Sequence, residues 1–428
     1  MQEVERRILK NRDINLTQTP DRTVSLLATL DTKGPEAAYL RDLLAGYGLR
    51  VQIVDTGCLG ESTISADISR RELFFAGQND IEEFVEKGDR GLAVTAAAQG
   101  AAAWMRRAYA DGRIAGVIAI GGSAGTTIGT AAMRVLPIGV PKVMVSTLAS
   151  GQVRHYVADK DILMLNSVVD LAGLNRITRE VLGEAARAIV GMVLLEKQPT
   201  TTQERPLVAA TMFGVTTPCV ERAKAVLEQA GYEVLVFHAT GTGGQAMESL
   251  IDEGLIAGVL DITTTELADE LVGGVLSAGP DRLTSAARRG VPQVVSVGAT
   301  DMVNFHSPAS VPERFEHRKF YHHNSNVTLM RTTADECAQI GTDIGRKLSL
   351  AQGPVVVLLP EQGVSAIDLA GQPFDDPVAR GALFSALRAS GPKLAIQTMD
   401  CHINDPQFGT MAAERLLELM KSSGMQTR

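Results

Sequence analysis

At 428 residues the chain exceeds what one hydrophobic core usually supports, so two or more domains are expected. With 45% apolar residues, 41 glycines and 4% aromatics, its composition is that of an ordinary α/β protein. A net charge of −8 argues against a general partner for nucleic acid or acidic membrane, and no apolar run is long enough to span a bilayer.

The first 20 residues are polar and lack the apolar core of a signal peptide. The four cysteines (Cys58, Cys219, Cys337, Cys401) lie far apart with no CxxC pair. They read as neither a disulfide framework nor a zinc site, so a cytoplasmic location is expected and no metal centre is assigned.

Thr23 to Leu30 reads as a first strand, and Asp31-Thr-Lys-Gly-Pro35 as a turn into a helix from Glu36 to Tyr47. Gly48 stops that helix, and Val51 to Asp55 is the next strand. Strand, helix and strand in so short a span form a βαβ unit, which implies a parallel sheet. Helical stretches follow at Asp80–Lys87 and Gly91–Asp111. Next comes an apolar strand, Ile114 to Ile120, which breaks into Gly121-Gly-Ser-Ala-Gly-Thr-Thr127 before a helix expected near Thr126. Lys142–Ser146 and Ile162–Asn166 read as further strands, and a long helix covers Asn175 to Lys197. The polar, Pro- and Thr-rich stretch Gln198–Pro206 marks a boundary between domains 1–200 and 201–428.

The second half repeats the first. Leu207-Val-Ala-Ala-Thr211 parallels Ser25-Leu-Leu-Ala-Thr29, and Gly231-Tyr-Glu-Val parallels Gly48-Leu-Arg-Val. Gly254-Leu-Ile-Ala-Gly-Val matches Gly112-Arg-Ile-Ala-Gly-Val, and Gly290-Val-Pro matches Gly139-Val-Pro. Matches in the same order imply two similar α/β domains, each a doubly wound, mainly parallel sheet, related by an internal repeat. Where the first half carries its glycines, the second carries Asp261-Ile-Thr-Thr-Thr-Glu266. Segment 352–428 adds strands at Pro354–Leu359 and Lys393–Thr398 and a helix from Thr410 to Lys421, completing the second domain.

Four constellations suit chemistry. Gly121, Gly122, Ser123, Ala124, Gly125, Thr126 and Thr127 leave a strand and open a helix, so backbone N–H groups converge where no side chain blocks an anion. A phosphate or carboxylate cradle is one reading; a turn that needs small residues only for packing is the other. No Lys-Ser or Lys-Thr pair follows, so it is not a P-loop. Ahead of them, Thr29, Asp31, Thr32, Lys33 and Gly34 can offer a ribose or Mg²⁺-water ligand and a point charge for phosphate. A helix cap by Asp31 or Thr32 is the alternative.

The second half supplies the other two. Arg318, His322 and His323 lie in a dense cationic loop, Pro312 to Asn324, suited to an anion with histidine as acid or base. A solvated charged loop is the alternative, and adjacent histidines point apart in an extended chain. Asp400 and His402 would share a face if extended, as an acid–base pair or two ligands; a turn capped by Asn404 and Asp405 is equally open. Gly363-Val-Ser365 resembles a nucleophile elbow but lacks its final glycine, so a serine hydrolase is disfavoured.

Taken together, LLATLDTKGPEAAYL, VDTGCLG, AIGGSAGTTIGTAAMRVLPIGVPKVMVST, FEHRKFYHHNSNVTLMRTTADE and PFDDP…MDCHINDPQF resemble the Tm-one-like (tobamovirus-resistance-protein-like) ATP-binding family over residues 20 to 425. The resemblance implies two Rossmann-like domains, ATP in the N-terminal one and a homodimer. Plant members carry a further C-terminal barrel, which points here to a separate barrel-fold enzyme partner. The expectation is a cytoplasmic ATP-binding enzyme, with Mg²⁺ accompanying ATP, that uses the phosphates on a small anionic metabolite at the domain interface. A non-catalytic ATP sensor is one rival. A nucleotide-independent isomerase, lyase or hydrolase of a phosphorylated or carboxylated sugar acid is the other.

Overall fold

The computed structural model describes residues 23–195, 205–391 and 394–424. The chain divides into two compact units, Met1–Pro199 and Thr200–Arg428, each with its own parallel sheet. The polar leader, most of the 198–206 boundary stretch, the helix end expected at Lys197 and the strand start expected at Lys393 lie outside the described residues.

The first unit runs β1 (Thr23–Ala28), α1 (Leu30–Gly46), β2 (Arg50–Asp55), α2 (Arg70–Ala76), α3 (Ile81–Lys87), α4 (Arg90–Ala110), β3 (Gly116–Gly121), α5 (Ser123–Arg134), β4 (Lys142–Ser146), α6 (Arg154–Val157), β5 (Leu163–Asn166) and α7 (Arg176–Leu194). Its five strands order as β2-β1-β3-β4-β5, all parallel, with Leu26 level with Ile53 on one side and Ile118 on the other. Side chains alternate across the sheet, as strand geometry requires. Leu26, Ile118, Ile120 and Val145 meet α1 and α7 through Leu40, Leu44, Leu182 and Ile189. Leu27, Val117, Ala119 and Met144 meet α2, α4 and α5 through Phe74, Ala97, Met105 and Ile128. Each buried Leu, Ile, Val, Met or Phe among them contributes roughly 1.5–3 kcal/mol. The result is a doubly wound, Rossmann-like sandwich.

Two helices start earlier than the sequence suggests. α1 begins at Leu30 rather than Glu36, because the Thr29 carbonyl already accepts the N–H groups of Thr32 and Lys33 at 2.9 and 2.8 Å. Lys33 leaves helical geometry (φ −125°, ψ 18°), so Pro35 sits in the first turn of a second helical segment, where its missing N–H is tolerated. α5 begins at Ser123 rather than near Thr126, with Gly122 as its cap residue.

The second unit runs β6 (Leu207–Met212), α8 (Thr217–Gln229), β7 (Glu233–His238), α9 (Thr242–Asp252), β8 (Ile256–Thr263), α10 (Glu266–Val272), α11 (Ser285–Arg289), β9 (Gln293–Gly298), β10 (Met302–Phe305), β11 (Phe320–Asn324), β12 (Val327–Arg331), α12 (Ala334–Leu348), β13 (Val355–Pro360), α13 (Pro377–Arg388), β14 (Ala395–Met399) and α14 (Pro406–Ser422). Read from β7, its parallel sheet is β7-β6-β8-β9-β13-β14, the order of the first unit with one strand added. That topology matches the sequence repeat, and β13 and β14 complete the second sheet as expected. A three-stranded antiparallel sheet, β10-β12-β11, is inserted between β9 and α12. The Pro312–Asn324 stretch, read as an irregular loop, therefore ends in a strand. Among the described residues, no helix is long and apolar enough to cross a membrane.

The ends of β6 and β8 are locked by a buried arginine. Arg282 makes a two-pronged pair with Asp261 (2.5 and 2.7 Å) and meets Glu266 at 2.6 Å and Glu248 at 3.4 Å. Thr211 donates to the same Asp261 at 2.7 Å, and Glu266 accepts from the N–H groups of Gly241 and Gly244 at 2.7 and 3.1 Å. Arg282→Met should lower unfolding free energy by about 3–5 kcal/mol, because it strands two buried carboxylates. Urea titration of the full chain checks this. The deficit should shrink as pH falls toward 4, since Glu266, already raised by burial, then takes up a proton in the folded variant that the unfolded chain binds less tightly.

Candidate functional site

In an open parallel sheet, ligands bind beyond the strand C-termini where the winding reverses. In the first unit that point lies between β1 and β3. A cavity of about 280 Å³ opens there, lined by Thr29, Asp31 and Thr32 after β1, Cys58, Leu59 and Gly60 after β2, Arg90 and Val94 on α4, and Ala124 on α5. Two of the sequence motifs are thus brought together. The fold also adds Arg90, which neither motif contains.

The individual residues divide by what they touch. Gly121 and Gly125 are packing residues: a Cβ on Gly121 would stand 2.7 Å from Gly125 Cα, and one on Gly125 would stand 3.0 Å from the Ile120 carbonyl oxygen. Gly34 is held likewise, beneath Thr63. Gly122 differs, with nothing nearer its Cβ position than Thr147 Oγ1 at 3.7 Å. The Thr126 hydroxyl is turned inward, bonding the Gly122 carbonyl at 2.7 Å and Ser146 at 2.6 Å. Thr127 bonds the Ser123 carbonyl at 2.9 Å. The N–H groups of Ser123, Ala124 and Gly125, at the start of α5, have no acceptor among the described residues. Lys33 does not line the cavity.

Asp31 caps no helix. Its Oδ2 accepts from Gly60 N–H at 3.2 Å, while Oδ1 is shielded from solvent and has no partner. The helix-terminus role falls instead to Asp55, unmarked by the sequence reading, which accepts from Leu30 N–H (3.2 Å), Gly57 N–H (2.8 Å) and the Ser62 hydroxyl. Burial, reinforced by the charge of Asp31, pushes the Cys58 thiol up to about 11, so it stays protonated and is no nucleophile at neutral pH.

The residues predicted to do chemistry lie in the second unit and do not converge. Arg318 is engaged by Glu336 in a two-pronged pair (2.9 and 2.6 Å) and donates to the Arg331 carbonyl at 2.7 Å. His322 and His323 are exposed neighbours on β11. Asp400 is exposed and accepts from Gln362 at 2.9 Å, while His402 is buried. The His402 Nδ1 accepts from Asn404 N–H (3.1 Å), and Nε2 meets the Ser365 carbonyl at 2.8 Å. The expected Asp400–His402 pair is therefore not formed, because the turn after β14 sends the two side chains to different partners.

Ser365 is buried and donates to Asp301 at 2.8 Å, with the histidine on its carbonyl rather than its hydroxyl. Asp368, beside it, is held by Arg380 at 2.9 Å and Arg331 at 3.4 Å. The other Asp301 oxygen has no partner, and burial, followed by the charge of Asp368, raises its carboxyl to about 7. A raised folded-state value stabilises the protein fully below the ordinary carboxylate range and loses that stabilisation as pH rises through about 7. Asp301→Asn should accordingly match the wild type in urea midpoint near pH 4 and exceed it at pH 8. Parallel midpoint-against-pH curves would remove Asp301 as the titrating group.

Comparison with known proteins places this geometry in a lineage. The profile of the Uncharacterised protein family (UPF0261) N-terminal domain matches residues 22–198, and that of its C-terminal domain matches residues 205–420. A UPF0261 protein of Clostridium tetani is 47% identical over 403 residues, covering 94% of this chain and 100% of that protein. The tomato (Solanum lycopersicum) ToMV resistance protein Tm-1(GCR237) is 43% identical over 432 residues, covering 95% of this chain and 57% of the tomato protein. Among solved structures, MurG of Acinetobacter baumannii overlaps at a TM-score of 0.21 with 10% identity over 94% of each chain, too slight a likeness to carry a conclusion. The motif-based resemblance to Tm-one-like proteins holds, and the chain belongs to the UPF0261 family.

Proposed function

We propose that the first unit binds a nucleotide, ATP accompanied by Mg²⁺, with its phosphates at the start of α5. The observation that carries this reading is the cavity between β1 and β3, which Asp31 and Arg90 line together with Ala124 in the first turn of α5. Free N–H groups at a helix start favour an anion, and the helix dipole adds to them. The fit is chemical: phosphate oxygens meet Ser123, Ala124 and Gly125, and the Asp31 carboxylate takes a ribose hydroxyl or a water on Mg²⁺. Bound there, ATP would supply a phosphoryl group for transfer to a small anionic metabolite, with this chain contributing position and charge neutralisation.

The cavity volume supports a second reading. Ligand pockets usually run about 300–1,000 Å³, so roughly 280 Å³ suits a phosphorylated or carboxylated sugar acid as well as part of a nucleotide. In that case the α5 start holds the substrate anion and no nucleotide is needed. A cytoplasmic location is proposed on the four free, buried thiols. The homodimer and the separate barrel-fold enzyme partner are proposed on the family resemblance.

Calorimetric titration of the full chain with ATP, with and without Mg²⁺, and with AMP and inorganic phosphate tests both readings. The nucleotide reading expects saturable binding that requires the triphosphate. Binding of phosphate or small carboxylates without ATP would hand the site to the sugar-acid reading. Gly122→Leu should weaken ATP binding at least about tenfold by crowding the α5 start, while leaving the thermal midpoint within a few degrees of wild type. Undiminished affinity in that variant would remove α5 from the site.

A further inference from the structure

We infer that Arg90 sets which anion the first-unit cavity accepts, gripping the phosphate farthest from the start of α5. This inference rests on the nucleotide reading of the same cavity.

Arg90 is the first residue of α4, and Val94, one turn on, lines the same cavity. Its side chain has no hydrogen bond or ion pair among the described residues. Asp89, next in the chain, spends its carboxylate on Leu92 N–H at 3.0 Å. Arg70 is turned onto the Gly60 carbonyl, and Arg71 onto Glu82. Asp55 is closed off by two N–H groups and the Ser62 hydroxyl. Cys58, whose thiol feels the Arg90 charge, stays protonated and offers no counter-charge.

The remaining acid of the cavity is Asp31, which lines the same space without pairing with Arg90. An arginine and an aspartate on one small cavity, each with unused bonding capacity and out of reach of one another, are joined by a ligand of two polarities. Its anionic end meets the guanidinium and the α5 N–H groups, and its hydroxyl end meets the Asp31 carboxylate. A phosphorylated sugar or nucleotide has that form. The planar guanidinium fork matches two phosphate oxygens at once, which an ammonium does not. Charge-assisted bonds of this kind are the strong ones, so the contact should discriminate by phosphate number.

The test titrates ATP, ADP and AMP calorimetrically into the full-length wild type, Arg90→Ala and Arg90→Lys. Arg90 is exposed, so the variants should keep the wild-type thermal midpoint. Arg90→Ala should weaken ATP by about 10- to 100-fold and AMP by less than about threefold, with Arg90→Lys between the alanine variant and wild type. Rising salt should erode the wild-type affinity for ATP more steeply than that of Arg90→Ala. Equal ATP affinity in Arg90→Ala and wild type, with Gly122→Leu impaired, would overturn the Arg90 assignment and leave the cradle standing. Should the wild type bind inorganic phosphate but no nucleotide, and Arg90→Ala lose it, the nucleotide reading falls while Arg90 keeps its role as the anion clamp.

Discussion

A doubly wound parallel sheet cannot close the gap where its winding reverses. The helices that follow the two central strands leave toward opposite faces, and a crevice stays open at their C-terminal ends. Something must occupy that crevice, and the two units of this chain fill it differently. In the second unit it holds Arg282 with Asp261, Glu248 and Glu266, all from the same chain. In the first unit it is a cavity. Laying Gly112 on Gly254 sets Ala119 opposite Asp261 and Ala124 opposite Glu266. Two alanines thus stand where the second unit has the two carboxylates that hold its arginine. The same framework is sealed in one copy and receptive in the other.

The glycine-rich turn embodies both meanings that the sequence leaves open. Gly121 and Gly125 are small because strand and helix touch: a methyl group has no room at Gly121 and would crowd the Ile120 carbonyl at Gly125. Gly122 has room, so packing does not demand it. The helix start is thereby brought close to the sheet, with its first N–H groups left unpaired. In the second unit the N–H groups of Gly241 and Gly244, at the start of α9, instead receive Glu266, a carboxylate supplied internally. One chain therefore contains a worked example of an anion held by helix-start N–H groups, and a second such start without its anion.

Much of the framework is legible in the residues themselves. Short apolar runs mark β1 to β5, and four repeated segments mark β6 to β9 of the second sheet, because buried parallel strands demand near-continuous aliphatic sequence. The start of α1 is not legible, since Pro35 looks like a helix boundary until the break at Lys33 is known. The antiparallel insertion is hidden by its short strands and by the charged run before β11, a composition that reads as loop. Arg90 is hidden for another reason. Nothing in its neighbourhood differs from an ordinary exposed helix start, and only the packing of α4 against α5 carries it to the cavity.

Spacing misleads most where a turn intervenes. Asp400 and His402 share a face only if the chain stays extended, but the strand ends at Met399 and the backbone folds back on Asp405. His402 then has both ring nitrogens committed, and its neighbour Ser365 is sealed beneath Asp301. Both are turned into the fold rather than presented to a substrate, however close in sequence to the usual motifs. These residues, with Asp368, Arg331 and Arg380, form a buried polar lattice that ties β9, β12, β13 and the segment after β14 together. Lattices of this kind fix one arrangement of a core, since leaving any member unpaired is costly. The second unit pairs its buried charges internally, whereas the first keeps an acid, an arginine and a helix start on one cavity without an ion pair between them, so a ligand search belongs there.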